Sequence, residues 1–113
     1  MAQPWKIIEG IATAEGLLEL RQRGDRDFLI MIGSQVLMNS MANRSEVVLG
    51  QSGCGHLKGT AGARVLVGGL GMGFTLRAVL DSLPADAQVI VAELNPAVRQ
   101  WCLGPLASLT GNA

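Results

Sequence analysis

Apolar and polar positions alternate along the first third of the chain. Leu18 and Leu20 alternate with Glu19 and Arg21, and Phe28, Ile30 and Ile32 resume the pattern after Arg23-Gly24-Asp25. A period of two is that of a strand with one face covered, so these residues read as an antiparallel hairpin. Arg23-Gly24-Asp25 spells an adhesion tripeptide, but glycine and aspartate between two strands are explained by turn chemistry. Trp5-Lys6-Ile7-Ile8 supplies a third, shorter strand. From Asn43 to Gln51 the pattern turns helix-compatible, with Ser45 as its cap and Gly50 limiting its length. Gly53, Gly55, Gly59 and Gly62 then mark a flexible connection. The boundary is placed there, giving an N-terminal β-hairpin domain over 1–60 and a second domain over 61–113.

The second domain opens on a short apolar run, Val65-Leu66-Val67, of the kind that forms a strand buried in a parallel sheet. A helix follows with Leu76, Val79, Leu80 and Leu83 at i, i+3, i+4 and i+7, stopping before Pro84. Val89-Ile90-Val91 is a second buried strand. Asn95-Pro96 is a cap and first turn for another helix, on which Val98, Trp101 and Cys102 share a face and which Gly104-Pro105 ends. Trp101 is expected to be buried on it. The last ten residues, Gly104 to Ala113, carry no strand pattern. Strand, helix and strand in this order make a βαβ unit, so the chain is α/β with a small antiparallel domain in front.

Between the first strand and its helix lies Gly-x-Gly-x-Gly: Gly69, Leu70, Gly71, Met72, Gly73. Gly69 allows a sharp exit from the strand. Gly71 lets main chain approach a ligand, and Gly73 lets the helix pack close to the sheet. Glu93 ends the second apolar run, twenty residues beyond Gly73, where a βαβ unit places a carboxylate to accept hydrogen bonds from ribose hydroxyls. The dinucleotide pattern Gly-x-Gly-x-x-Gly fails, because its third position is Phe74 in one frame and Leu76 in the other. A phosphate loop ending in Gly-Lys-Ser/Thr fails too, since no lysine follows these glycines. A ribose-containing ligand without pyrophosphate remains, and S-adenosylmethionine fits, its carboxylate near the helix N-terminus and its ribose near Glu93. Leu70, Met72 and Leu94 are further loop or pocket neighbours.

The run Val65 to Leu80 with Ala92-Glu93-Leu94-Asn95-Pro96-Ala97-Val98 resembles the S-adenosylmethionine-binding half of class I methyltransferases, and most closely that of spermidine-synthase-like proteins. In aminopropyltransferases the loop reads Gly-Gly-Gly-Asp-Gly-Gly before a Thr-Leu-Arg helix start, which is similar to Gly69 to Arg77. Leu70, Met72 and Phe74 stand where that pattern has a Gly, an Asp and a Gly, so the loop carboxylate used in polyamine work is missing. The family's upstream Tyr-His-Glu segment is also absent, the chain having no tyrosine. Gly33 to Ser40 through Ser45-Glu46 is similar to the family's strand-to-helix transition. The resemblance implies a small antiparallel β-domain followed by the first βαβ unit of a Rossmann-like fold. It implies binding of S-adenosylmethionine or its decarboxylated form, and transfer of a methyl or aminopropyl group to a small-molecule substrate. The resemblance implies that the family's catalytic carboxylate and adenine-binding residues lie after later strands, which would fall beyond Ala113, so no catalytic residue is named. With 113 residues, against the roughly 200 or more that such a fold needs, the chain is expected to be an N-terminal fragment.

Nine Lys and Arg balance nine Asp and Glu, without a basic face, which argues against nucleic acid as a partner. The longest apolar run, Phe28 to Ile32, is far short of the roughly 20 residues a membrane helix requires. No charged start leads into an apolar leader, so a cytoplasmic setting is expected. Cys54 and Cys102 are too few for a disulfide framework, and with His56 they offer three zinc ligands but no fourth. A metal site is therefore not expected.

Two other readings of the same residues stay open. One is a non-enzymatic oligomerisation module built on half a Rossmann fold, since an uncovered parallel sheet is a template for association. A homo-oligomer is expected in either case, through the N-terminal hairpins, the sheet edge, or both. The other is an NAD(P)-dependent oxidoreductase.

Overall fold

The computed structural model describes residues 4–113, and within them the chain forms two compact units that divide between Ala42 and Asn43. In the first, β1 (Lys6–Thr13), β2 (Gly16–Arg23), β3 (Asp27–Ile32) and β4 (Gln35–Asn39) form one antiparallel sheet in that spatial order. The expected hairpin is β2 and β3. The register sets Leu18 against Ile32 and Leu20 against Ile30, so these residues share a face, and Leu18, Leu20, Phe28 and Ile30 are buried. The third strand, expected over Trp5 to Ile8, begins at Lys6 and is longer than expected, because β1 pairs along nearly the whole of β2. At the β2–β3 turn Gly24 has φ +63°, Arg23 pairs with Asp27 at 3.3 Å, and its guanidinium lies 4.4 Å from the Trp5 ring. That arginine is held by its own hairpin. Ser40 Oγ accepts from the Phe28 amide at 2.8 Å and donates to the Arg26 carbonyl at 3.0 Å, pinning the end of β4 to the turn.

The second unit comprises α1 (Arg44–Cys54), β5 (Arg64–Gly68), α2 (Phe74–Ser82), β6 (Gln88–Ala92) and α3 (Pro96–Leu103). Helix α1 corrects two expectations. It runs through Gly50 and Gly53 to Cys54, and its cap position is Asn43, with Ser45 inside the helix. Glycine costs about 1 kcal/mol in a helix, but here it is repaid by packing. A Cβ on Gly50 would stand 2.7 Å from Ala78 Cβ and 2.9 Å from the Thr75 carbonyl, so only glycine lets α1 lie this close to α2. The compact units accordingly part before α1, ahead of the glycine-rich stretch.

Strands β5 and β6 pair in parallel, Val65 opposite Val89 and Val67 opposite Val91. This face of the sheet packs with Cys54, Val79 and Leu83 into the core of the unit. Leu66 and Ile90 point the other way and are 67% and 54% exposed. Parallel sheets are normally covered on both faces; here only one is. On α2 the buried residues are Ala78 and Val79, while Leu80 is exposed, a correction to the expected stripe. Close packing against α1 turns the Ala78 side of α2 inward. Among the described residues no helix is long and apolar enough to cross a membrane.

Candidate functional site

The site is built where β5 and β6 end. The Gly69 amide donates to the Ala92 carbonyl at 2.8 Å, continuing the strand pairing by one residue before the chain turns away. Gly69, Gly71 and Gly73 have φ of +85°, +54° and +88°, a region that side-chain-bearing residues avoid, so the loop's path depends on all three. The Gly73 amide donates to the Leu70 carbonyl at 2.9 Å, and Gly73 then caps α2, its carbonyl receiving the Arg77 amide at 2.9 Å. Gly73 was expected to serve close packing against the sheet. Its positive φ is the stronger requirement, because a Cβ there would meet Thr110 Cγ2 at an ordinary 3.4 Å.

Glu93 follows β6 directly. Its Oε1 accepts from the Leu70 amide at 2.8 Å and its Oε2 from the Asn95 amide at 3.0 Å. Asn95 in turn caps α3, its Oδ1 accepting from the Ala97 amide at 2.9 Å with Pro96 in the first turn. The carboxylate is thus fixed in orientation by two backbone donors, one from the loop and one from the helix start. A carboxylate offers about four acceptor positions, so both oxygens keep capacity for further donors.

Glu93, Leu70 and Leu94 lie on a cleft of about 470 Å3 whose other walls come from Leu76, Val91, Asn95, Pro96, Arg99, Cys102, Leu103 and Ala113. Leu94 is fully exposed. Met72 does not line this cleft; it is 2% exposed and belongs to the core, leaving its backbone as its contribution to the loop. Trp101, also buried, fills the inner face of α3 as expected. Cys102 Sγ donates to the Gly71 carbonyl at 3.2 Å, tying α3 to the loop. Burial, and secondarily the Glu93 charge, push its pKa from 9.0 up to about 11, so it is a thiol and not a thiolate nucleophile at neutral pH.

The loop and Glu93 were legible in the sequence, and the structure brings them together. Arg99 and Leu103 were not singled out. Their signal was the spacing Pro96, Arg99, Leu103 along α3, which puts a second face beside the buried Val98–Trp101 face. The Cys54–His56–Cys102 grouping is not assembled: Cys54 is in the core, His56 is exposed on a 3-10 turn (Gly55–Leu57), and Cys102 faces the glycine loop.

No protein-family model and no curated protein matches this chain. Solved structures do. The chain superposes on spermidine synthase in complex with the transition state analogue AdoDATO with a TM-score of 0.67 at 18% identity. It superposes on spermidine synthase from Thermotoga maritima with a TM-score of 0.64 at 16% identity. Each match covers 94% of this chain and 36% of the other. The fold is therefore similar to part of the spermidine synthase fold, a small antiparallel β-domain with a partial Rossmann-like unit, and the chain spans about a third of the length of those structures.

Proposed function

We propose that this chain is the S-adenosylmethionine-binding part, or the decarboxylated-S-adenosylmethionine-binding part, of a spermidine-synthase-like transferase that moves a methyl or aminopropyl group to a small-molecule acceptor. The observation that carries the reading is the position of Glu93. Its carboxylate is held at the strand end by Leu70 and Asn95, beside the glycine loop and on the rim of an open, largely apolar cleft. Fixed in this way, it accepts hydrogen bonds from vicinal ribose hydroxyls without first having to be ordered. Its negative charge also favours a sulfonium-bearing ligand. The loop backbone approaches the ligand where Gly69 and Gly71 offer no Cβ, and the leucines and Pro96 supply apolar wall. When bound, the sulfonium supplies the electrophilic carbon; the residues of this chain bind and orient it, and none is assigned to the transfer step. The AdoDATO complex of the structurally similar spermidine synthase supports a nucleoside-type ligand. A cytoplasmic setting goes with the same reading.

A second reading rests on the bare sheet face. Leu66 and Ile90 leave an apolar surface that suits an oligomerisation module, with or without cofactor binding. Calorimetric titration with S-adenosylmethionine, its decarboxylated form and NADH separates the readings. The transferase reading expects a sulfonium ligand to bind, NADH not to, and Glu93→Ala to cost about 2 to 4 kcal/mol through two lost charge-assisted hydrogen bonds. Binding of neither sulfonium ligand, or an affinity untouched by Glu93→Ala, would overturn it. Binding of NADH alone would favour an oxidoreductase.

A further inference from the structure

The glycine loop is held by more than Glu93, because chain that follows β6 returns to it. Cys102 Sγ donates to the Gly71 carbonyl at 3.2 Å. Thr110 is buried against Gly73, where a Cβ would meet Thr110 Cγ2 at 3.4 Å and Cys102 Sγ at 3.9 Å. The Thr110 carbonyl receives the Arg77 guanidinium at 3.4 Å, which ties this residue to α2 as well. Its hydroxyl oxygen receives the Ala113 amide at 3.4 Å, and its methyl is the nearer contact to Gly73. Positive φ at Gly69, Gly71 and Gly73 lets the loop follow its path, and the same freedom lets the peptide unit between Gly71 and Met72 turn over unless something holds it. A peptide unit that turns over exchanges the places of its N–H and its C=O. The bond from Cys102 to the Gly71 carbonyl fixes which of the two each side of the loop presents. A loop ordered in advance binds at lower entropic cost than one ordered by its ligand.

We propose that Cys102 and Thr110 are positioning residues that hold the glycine loop in its ligand-binding form, Cys102 by fixing the Gly71–Met72 peptide unit and Thr110 by seating Gly73. This rests on the cofactor reading above, and the test separates the two. S-adenosylmethionine and its decarboxylated form are titrated into the wild-type chain, Cys102→Ala, Cys102→Ser, Thr110→Ser, Thr110→Val and Glu93→Ala, each well below its melting temperature. Loop amides are followed by NMR before ligand is added. Cys102→Ala should weaken binding about fivefold, the factor that corresponds to one ordinary net hydrogen bond. Cys102→Ser, which supplies a hydroxyl donor, should recover most of it. Thr110→Ser, which removes the methyl, should weaken binding about threefold, and Thr110→Val, which keeps it, should stay closer to wild type. In ligand-free Cys102→Ala the Met72 amide should shift and exchange faster, because its peptide unit is released. Should Cys102→Ala fail to fold, the comparison of Thr110→Ser with Thr110→Val decides. Weaker binding in Cys102→Ala with the Met72 amide unmoved would mean that Cys102 touches the ligand itself, and would overturn the positioning role. Unchanged affinity in Cys102→Ala and Thr110→Ser, whatever their melting temperatures, with Glu93→Ala still weakening binding, would overturn the proposal and leave the cofactor reading standing. If wild type binds neither ligand, both fall.

Discussion

The Leu70 amide donates to Glu93 Oε1 at 2.8 Å, joining the glycine loop to the end of the neighbouring strand across 23 residues of sequence. With the Asn95 amide on Oε2, this makes Glu93 a clasp between loop, strand and helix as well as a candidate ligand group. Glu93→Ala leaves two partly buried amides without their acceptor. Urea denaturation should show a loss of about 1 to 2 kcal/mol, allowing for partial rehydration. Glu93→Gln, which keeps one acceptor oxygen, should recover part of it. A midpoint unchanged in Glu93→Ala would mean the clasp contributes nothing.

Gly50→Ala should destabilise the second unit although alanine is the better helix former. The propensity gain is about 1 kcal/mol. Against it, the new methyl would lie 2.7 Å from Ala78 Cβ and 2.9 Å from the Thr75 carbonyl, an overpacking that costs about 1 to 3 kcal/mol and outweighs that gain. Ala78→Gly in the same chain should return part of the stability by removing the clashing carbon. A stabilised single variant would contradict the close α1–α2 packing.

The same glycine shows where sequence reading stops. The β2–β3 hairpin was legible because its apolar and polar residues alternate with period two, although Glu19 is buried along with Leu18 and Leu20, and the loop, Glu93 and the Asn95-Pro96 helix start were legible because each is a local signal. Gly50 read as a breaker because its partner, α2 at Thr75 and Ala78, lies far along the chain; tertiary contact overrode propensity. Met72 sat in the motif but turns into the core, and Arg99 sat outside it but lines the cleft. Neither direction is encoded in spacing along the loop.

Cys102 titrates in the alkaline range. Its folded pKa of about 11 lies above the ordinary 9.0, first through burial and then through the Glu93 charge. A group whose folded pKa is raised contributes stability that is present below pH 9 and lost as pH rises toward 11. In a Cys54→Ala chain, where one thiol reports, alkylation at pH 8 should be slow in the folded state and fast in denaturant. Adding Glu93→Gln should shift the alkylation profile to lower pH. A folded-state thiol that reacts as fast as the unfolded one would contradict the Gly71 contact.

Leu66 and Ile90 should drive self-association. Their exposure of 67% and 54% leaves adjacent apolar side chains on one face of a parallel strand pair. Sedimentation at micromolar concentration should show a dimer or larger species, and Leu66→Thr with Ile90→Thr should shift it toward monomer without loss of fold. A wild-type chain that sediments as a compact monomer would remove the oligomer from the account.

The central claim is that a nucleoside ligand binds where the glycine loop meets Glu93. The most direct measurement is a backbone amide map of the isotopically labelled chain, recorded by NMR during titration with S-adenosylmethionine. The amides of Leu70 and Asn95, which donate to Glu93, and those of Gly69, Gly71 and Gly73 should shift together and saturate together, and the N-terminal sheet should not move with them. Shifts confined to other surfaces, or no shift at saturating ligand, would contradict the claim.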